Sequence, residues 1–167
     1  MNWFRIAVLL LFFSQTNTIY SQVNNIIPTP KEQTIKNGFM LIENNPKIIT
    51  NNKFKSASTL LKEAINELNL DNDEKPKNRI RFSYNKKLDN EEYILRINSN
   101  LITISASTEN GAIFGFQSLN QLMNLNLNDG VIKLKSQEIK DSPRFKYRGM
   151  HLDVGRHMYP VDFIKKY

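Results

Sequence analysis

Apolar and polar positions alternate along much of the chain, and the places where the period changes mark the predicted elements. Residues 79–84 put Ile80, Phe82 and Tyr84 on one face, and residues 92–97 repeat the pattern through Tyr93, Leu95 and Ile97. Asn98, Ser99 and Asn100 turn the chain into residues 101–106, where Ile102 and Ile104 share a face, so these two runs form a hairpin. Two longer stretches shift to steps of three and four. From Lys53 onwards, Phe54, Ala57, Leu60, Leu61, Ala64, Ile65 and Leu68 fall on one stripe about 100° wide, which describes a helix laid on a sheet with Asn51 or Asn52 as its cap. A second helix begins after Thr108, an N-cap hydroxyl. Glu109 stands in its first turn against the macrodipole, and Ala112, Ile113, Phe116, Leu119, Leu122 and Met123 form its buried face. Gly111 and Gly115 lie four apart inside that helix. An interior glycine costs about 1 kcal/mol relative to alanine, and close packing against a sheet or a neighbouring domain would account for both.

The remaining punctuation completes a small mixed α+β domain over residues 22–140, with short strands in one layer and two amphipathic helices on the other. Pro28 and Pro30 push residues 24–30 onto an extended path. Two short apolar stretches, residues 39–42 and 47–50, are separated by Glu43, Asn44, Asn45 and Pro46, which predicts a hairpin or successive strands. The polar residues 69–78, with Pro76, end the first helix in a loop, while Asn128, Asp129 and Gly130 turn the chain into a last strand over residues 131–139. The closing stretch changes character. Met150, Leu152 and Val154 alternate with His151 and Asp153, Gly155 ends the run, and Pro160 opens a helix over residues 161–166. A strand that carries Asp and Arg at its C-terminal end before a helix is the βα unit of (β/α)8 barrels, whose active sites lie at that end.

Residues 1–21 read as a signal peptide: Arg5 supplies the positive flank, residues 6–13 the apolar run, and the polar residues 14–21 lead to cleavage near Ser21 or Gln22. That run is too short to span a bilayer, so no membrane segment is expected once it is removed. The chain is therefore expected to be exported, to the periplasm or beyond the cell. With 167 residues and 40% hydrophobic content it can build one ordinary domain, and a lipoprotein anchor is excluded because there is no cysteine. A barrel alone needs roughly 250 residues, so residues 141–167 are expected to be only the truncated beginning of one, and the chain to be the front end of a larger protein.

A formal net charge of +7 invites a nucleic-acid reading. Lysines, however, are interleaved with acids, as at Lys31-Glu32 and Lys62-Glu63, which favours a solvated surface with weak attraction to anionic envelope surfaces and no nucleic-acid partner. Metal ligation and cofactor binding are not expected. The two histidines, His151 and His157, flank Asp153 at spacings unlike a zinc pattern, and the glycines of the second helix lack the G-x-G-x-x-G spacing.

Pro143, Arg144, Phe145, Arg148, Gly149, Asp153, Arg156 and His157 stand in the pattern P-R-F-x-x-R-G-x-x-x-D-x-x-R-H. It closely resembles the start of the catalytic barrel in family 20 glycoside hydrolases, the β-N-acetylhexosaminidases. The stretch from Gly111 to Leu122 resembles that family's G-x-x-x-G-x-x-x-L-x-Q-L segment ahead of the barrel, and Ile27-Pro28-Thr29-Pro30 its I-P-x-P motif. The resemblance implies an exo-acting hydrolase that removes terminal non-reducing N-acetylhexosamine, GlcNAc or GalNAc, from oligosaccharides or glycoconjugates. It implies a retaining, substrate-assisted mechanism, in which the acetamido carbonyl attacks the anomeric carbon. Arg156 matches the arginine that hydrogen-bonds sugar hydroxyls, a task suited to a planar, permanently charged fork of donors. Asp153 and His157 are expected behind it, holding the loop, and Arg148 to organise the start of the strand. The family's Asp-Glu catalytic pair lies later in the barrel, so no residue of this chain is expected to be catalytic. Two alternatives stay open: the front end of another barrel glycosidase, and an exported non-catalytic structural or carbohydrate-binding domain.

Overall fold

The computed structural model describes residues 26–71 and 75–166; the signal-peptide reading of residues 1–21 lies outside them. In chain order the elements are β1 (Glu32–Ile42), β2 (Lys47–Ile49), a 3-10 turn (Asn52–Phe54), α1 (Lys55–Glu67), β3 (Arg79–Tyr84), β4 (Tyr93–Ile97), β5 (Leu101–Ala106), α2 (Glu109–Leu125), β6 (Leu127–Asn128), β7 (Val131–Asp141) and α3 (Val161–Lys166). One mixed sheet takes all seven strands in the order β1-β7-β4-β5-β3-β2, with β6 beside β7. Strands β2, β3 and β5 run parallel, whereas the β4–β5 hairpin and the β4–β7 and β1–β7 pairs are antiparallel.

The two apolar stretches around Pro46 are successive strands and not a hairpin. β1 lies at one edge of the sheet and β2 at the other, and the partner of β1 is β7, about 100 residues away in sequence, as in the pair Met40–Leu134. Between Ile35 and Phe39 the β1–β7 register slips, with Gly38 at φ 97°. At the same point buried positions in β7 change parity, from Ile132 and Leu134 on one side of the slip to Ile139 on the other. The Asp129–Gly130 turn, φ 48° and 77°, closes the β6–β7 hairpin with the positive φ angles that such a tight turn needs.

Helices α1 and α2 pack on one face of the sheet. Asn51 caps the 3-10 turn by accepting from the Lys53 N–H at 3.0 Å, and the Thr108 hydroxyl accepts from the Gly111 N–H at 3.2 Å. Glu109 goes further than a dipole partner: its carboxylate accepts from the Ala57 N–H at 2.7 Å, so it caps the first turn of the other helix. The core holds Phe54, Leu61, Leu95, Ile104 and Leu119, all with no exposed surface. The glycines of α2 lie against the sheet. A Cβ at Gly111 would stand 2.6 Å from the Glu92 carbonyl oxygen, and one at Gly115 would stand 2.7 Å from Ile104 Cγ2. Two expected positions differ. Leu60 is 37% exposed at the margin of the α1 stripe and Ser58 is buried in its place, while Tyr84, the last residue of β3, is 51% exposed under Lys53.

The alternating run from Met150 to Val154 does not form a strand. A strand needs a neighbour to satisfy its N–H and C=O groups, and none lies beside it among the described residues. The helix behind it does form, because its first turn is local: the Pro160 carbonyl accepts from the N–H groups of Phe163 and Ile164.

Candidate functional site

The chain leaves the sheet at Asp141 and crosses the outer side of α2, where it meets the segment that precedes β1. Gln121 of α2 holds that segment with two hydrogen bonds to one residue: its Oε1 accepts from the Ile27 N–H at 2.9 Å, and its Nε2 donates to the Ile27 carbonyl at 3.0 Å. Asp141 accepts from the Lys31 N–H at 3.1 Å, the Lys31 ammonium donates to Ser142 Oγ at 2.6 Å, and Arg144 donates to the Thr29 carbonyl at 2.9 Å. The two ends of the domain are thereby tied together over a groove of about 370 Å³, with Ile26, Pro28, Phe114, Pro143 and Phe145 on its walls. Beneath it, the Tyr93 hydroxyl and Ser118 Oγ are 2.5 Å apart. Burial pushes the Tyr93 phenol up to about 12; the Ser118 hydrogen bond works against that shift, and the nearby Asp141 carboxylate adds to it.

Arg148 closes the far side of this junction. Its guanidinium donates to the Phe145 carbonyl at 2.7 Å and to Glu91 Oε1 at 2.6 Å, and lies 5.8 Å from the centre of the Phe114 ring. Beyond it, the residues singled out from sequence come together only as neighbours in the chain. Asp153 Oδ1 accepts from the Gly155 N–H at 2.8 Å, a local turn that fixes the backbone just before Arg156. Arg156 and His157 are exposed side by side in the following bend, and Tyr159 stacks on Phe163 of α3 at 4.8 Å. The arrangement offers a guanidinium able to donate to hydroxyls, with no acid and base pair facing it among the described residues. Among the described residues no group of three or more His, Asp or Glu side chains could hold a metal ion.

Sequence reasoning left Gln121 without a role, although it stands in the quoted G-x-x-x-G-x-x-x-L-x-Q-L segment, and it did not find Glu91 or the Tyr93–Ser118 pair. A polar residue beside the apolar stripe of α2 was the available signal for Gln121. Nothing local marks Glu91, whose partner is 57 residues away.

The fold and this junction define a small α/β domain with one layer of two helices on a mixed sheet, carrying no reactive constellation of its own among the described residues. Residues 23–142 match the family profile described as glycosyl hydrolase family 20, domain 2, and the chain belongs to that family. A β-hexosaminidase from Vibrio furnissii is 37% identical over 82 residues, which cover 49% of this chain and 13% of that protein. The structure described as a GH20 exo β-N-acetylglucosaminidase from Vibrio harveyi in complex with N-acetylglucosamine superposes with a TM-score of 0.72 at 26% identity, over 86% of this chain and 23% of that one. The β-N-acetylhexosaminidase of Bacteroides fragilis gives a TM-score of 0.71 at 27% identity, covering 86% of this chain and 30% of that one. The chain thus spans less than a third of the length of each of these relatives.

Proposed function

We propose that this chain serves in a β-N-acetylhexosaminidase, a glycoside hydrolase that releases terminal non-reducing N-acetyl-D-hexosamine from oligosaccharides and glycoconjugates with retention of configuration. The match of residues 23–142 to the family 20 domain carries the reading, and the hexosaminidase names of its relatives support it. In this reading residues 141–167 begin a (β/α)8 barrel in the whole protein. The alternating run from Met150 to Val154 pairs there with neighbouring strands, and Arg156 at its C-terminal end donates hydrogen bonds to hydroxyls of the terminal sugar. Asp153 holds the loop amide at Gly155 and so fixes the backbone that presents Arg156, with His157 behind it. The acid and base chemistry comes from an Asp-Glu pair outside this chain, so the chain by itself turns over no substrate. Export to the periplasm or the medium fits a substrate of envelope or environmental glycans.

The test is release of nitrophenol from a nitrophenyl N-acetyl-β-glucosaminide by the whole protein. Activity that falls about a hundredfold in kcat/KM on Arg156→Ala, and is only partly restored in Arg156→Lys, is the expected result for a forked donor set that lysine cannot reproduce. A whole protein inactive on both gluco- and galacto-configured N-acetylhexosaminides, but active on another glycoside, would replace this reading with a different barrel glycosidase.

A further inference from the structure

The face of the sheet turned away from α1 and α2 is strongly basic. Ile80 and Phe82 point into the core, so Arg79 and Arg81 point out of β3; by the same alternation Arg96 leaves β4, and Lys133, Lys135 and Lys140 leave β7. Lys47 stands on the same face of β2, directly opposite Arg79 in the strand register. Acids are fewer there, and Glu32 of β1 stands directly opposite Lys140 in the strand register. Glu138 takes both Arg96 and Lys36, at 2.8 and 3.2 Å, which holds its carboxyl below the usual carboxylate range, and Lys140 pairs with Glu92 at 3.3 Å. Lys47, Arg79, Arg81, Lys133 and Lys135 have no acidic partner among the described residues. Like charges placed directly across two strands destabilise a sheet, so the Lys47–Arg79 pair works against folding.

We infer that this open face docks an anionic polysaccharide, one carrying carboxylate or sulfate groups. Arg79 and Arg81 lie two residues apart on one strand, with Lys47 beside Arg79, so three cations line a strip roughly 7 Å long with forks that fit planar carboxylates. At the other end of the face, Phe39 is 46% exposed between the Lys133 and Lys135 ammonium groups, at 4.7 and 4.3 Å from its ring centre, a ring edge and two charges available to a charged sugar. Base stacking would need aromatic rings in the middle of the sheet, and Thr103 and Ser105 of β5 stand there. A membrane would need an apolar crest, whereas Phe39 and Leu41 form only one corner of a flat, charged face. The departing segment, residues 141–148, runs over α2, on the other side of the sheet from this face. The preference for a glycan over another polyanion rests on the hexosaminidase reading. A retention assay contains no catalytic step, so its failure leaves that reading intact.

The experiment is affinity electrophoresis of the full chain through gels containing polygalacturonate, dextran or no polymer, with flotation on phosphatidylglycerol vesicles alongside. Retention by polygalacturonate and not by dextran is expected. The double variants Arg79→Glu/Arg81→Glu and Lys133→Glu/Lys135→Glu should each weaken it about tenfold, and added salt should weaken it further. Lys55→Glu/Lys62→Glu on the exposed side of α1 changes net charge by the same amount and should retain nearly wild-type binding. An equal loss in that control would reduce the effect to net charge and overturn the inference. So would absence of polygalacturonate retention, or equal capture by the vesicles. Thermal unfolding of each variant, with Arg79→Gln/Arg81→Gln as a milder pair, separates lost binding from lost folding.

Discussion

Strand β4 and the run from Met150 to Val154 carry the same local signal and have opposite fates. Each sets three apolar residues at alternate positions, separated by Ile94 and Arg96 in β4 and by polar residues in the later run. In β4, Tyr93, Leu95 and Ile97 are buried, because β5 and β7 flank the strand and α2 lies across it. In the later run Met150 is 66% and Val154 52% exposed, and no strand lies alongside among the described residues. Period-2 patterning therefore specifies which face a strand would bury, while the partners decide whether there is a strand at all.

The largest expected effect tests the first half of that comparison. Leu95→Ala removes a fully buried side chain from the centre of the sheet and should lower unfolding stability by about 3 kcal/mol in a denaturant titration. The alkaline limb comes next. Burial pushes the Tyr93 phenol up to about 12, so the folded state keeps its proton where the unfolded chain, titrating near 10, has lost it. Stability from this group is complete below pH 10 and declines by about 1.4 kcal/mol per pH unit towards 12. Tyr93→Phe should flatten that decline relative to wild type while losing about 1 kcal/mol at neutral pH with the Ser118 hydrogen bond; parallel pH curves for the two proteins would refute the account. Gly111→Ala should destabilise by about 2 kcal/mol despite alanine's better helix propensity, because the Glu92 carbonyl it meets is backbone and cannot step aside. A neutral or stabilising result would mean that α2 can shift away from the sheet. Met150→Ala should have the smallest effect, under about 0.5 kcal/mol, and a loss comparable with Leu95→Ala would show that the closing run is packed after all.

Much of the body was legible because its signals are local. The β4–β5 hairpin follows from alternation around Asn98, Ser99 and Asn100, and α2 from a Thr108 cap followed by a stripe of apolar residues. Gly111 and Gly115 announced a close approach that the structure places against Glu92 and Ile104. Less was legible where the determinant lies far away in sequence. Only Phe39 to Ile42 stood out in β1, because the rest of that strand, from Glu32 to Gly38, is polar apart from Ile35 and is held through the pairing of Glu32 to Ile35 with β7. Leu60 looked like a core residue because the stripe is wider than the contact. The junction around Gln121 was invisible for the same reason, since its partner Ile27 is 94 residues away.

Periodicity, turn residues and caps, all set by neighbours within a few residues, were determined by the sequence alone: two helices, most strands, the turns between them and the family motif around Arg156. The tertiary structure decided that β1 and β2 occupy opposite edges, that Glu109 caps α1 as well as serving α2, and that cations scattered among acids along the chain gather on one face of the sheet. Each of these depends on which distant backbone supplies a hydrogen-bonding partner and on which side of the sheet the helices cover, and loop closure over tens of residues leaves no trace in a short window of sequence.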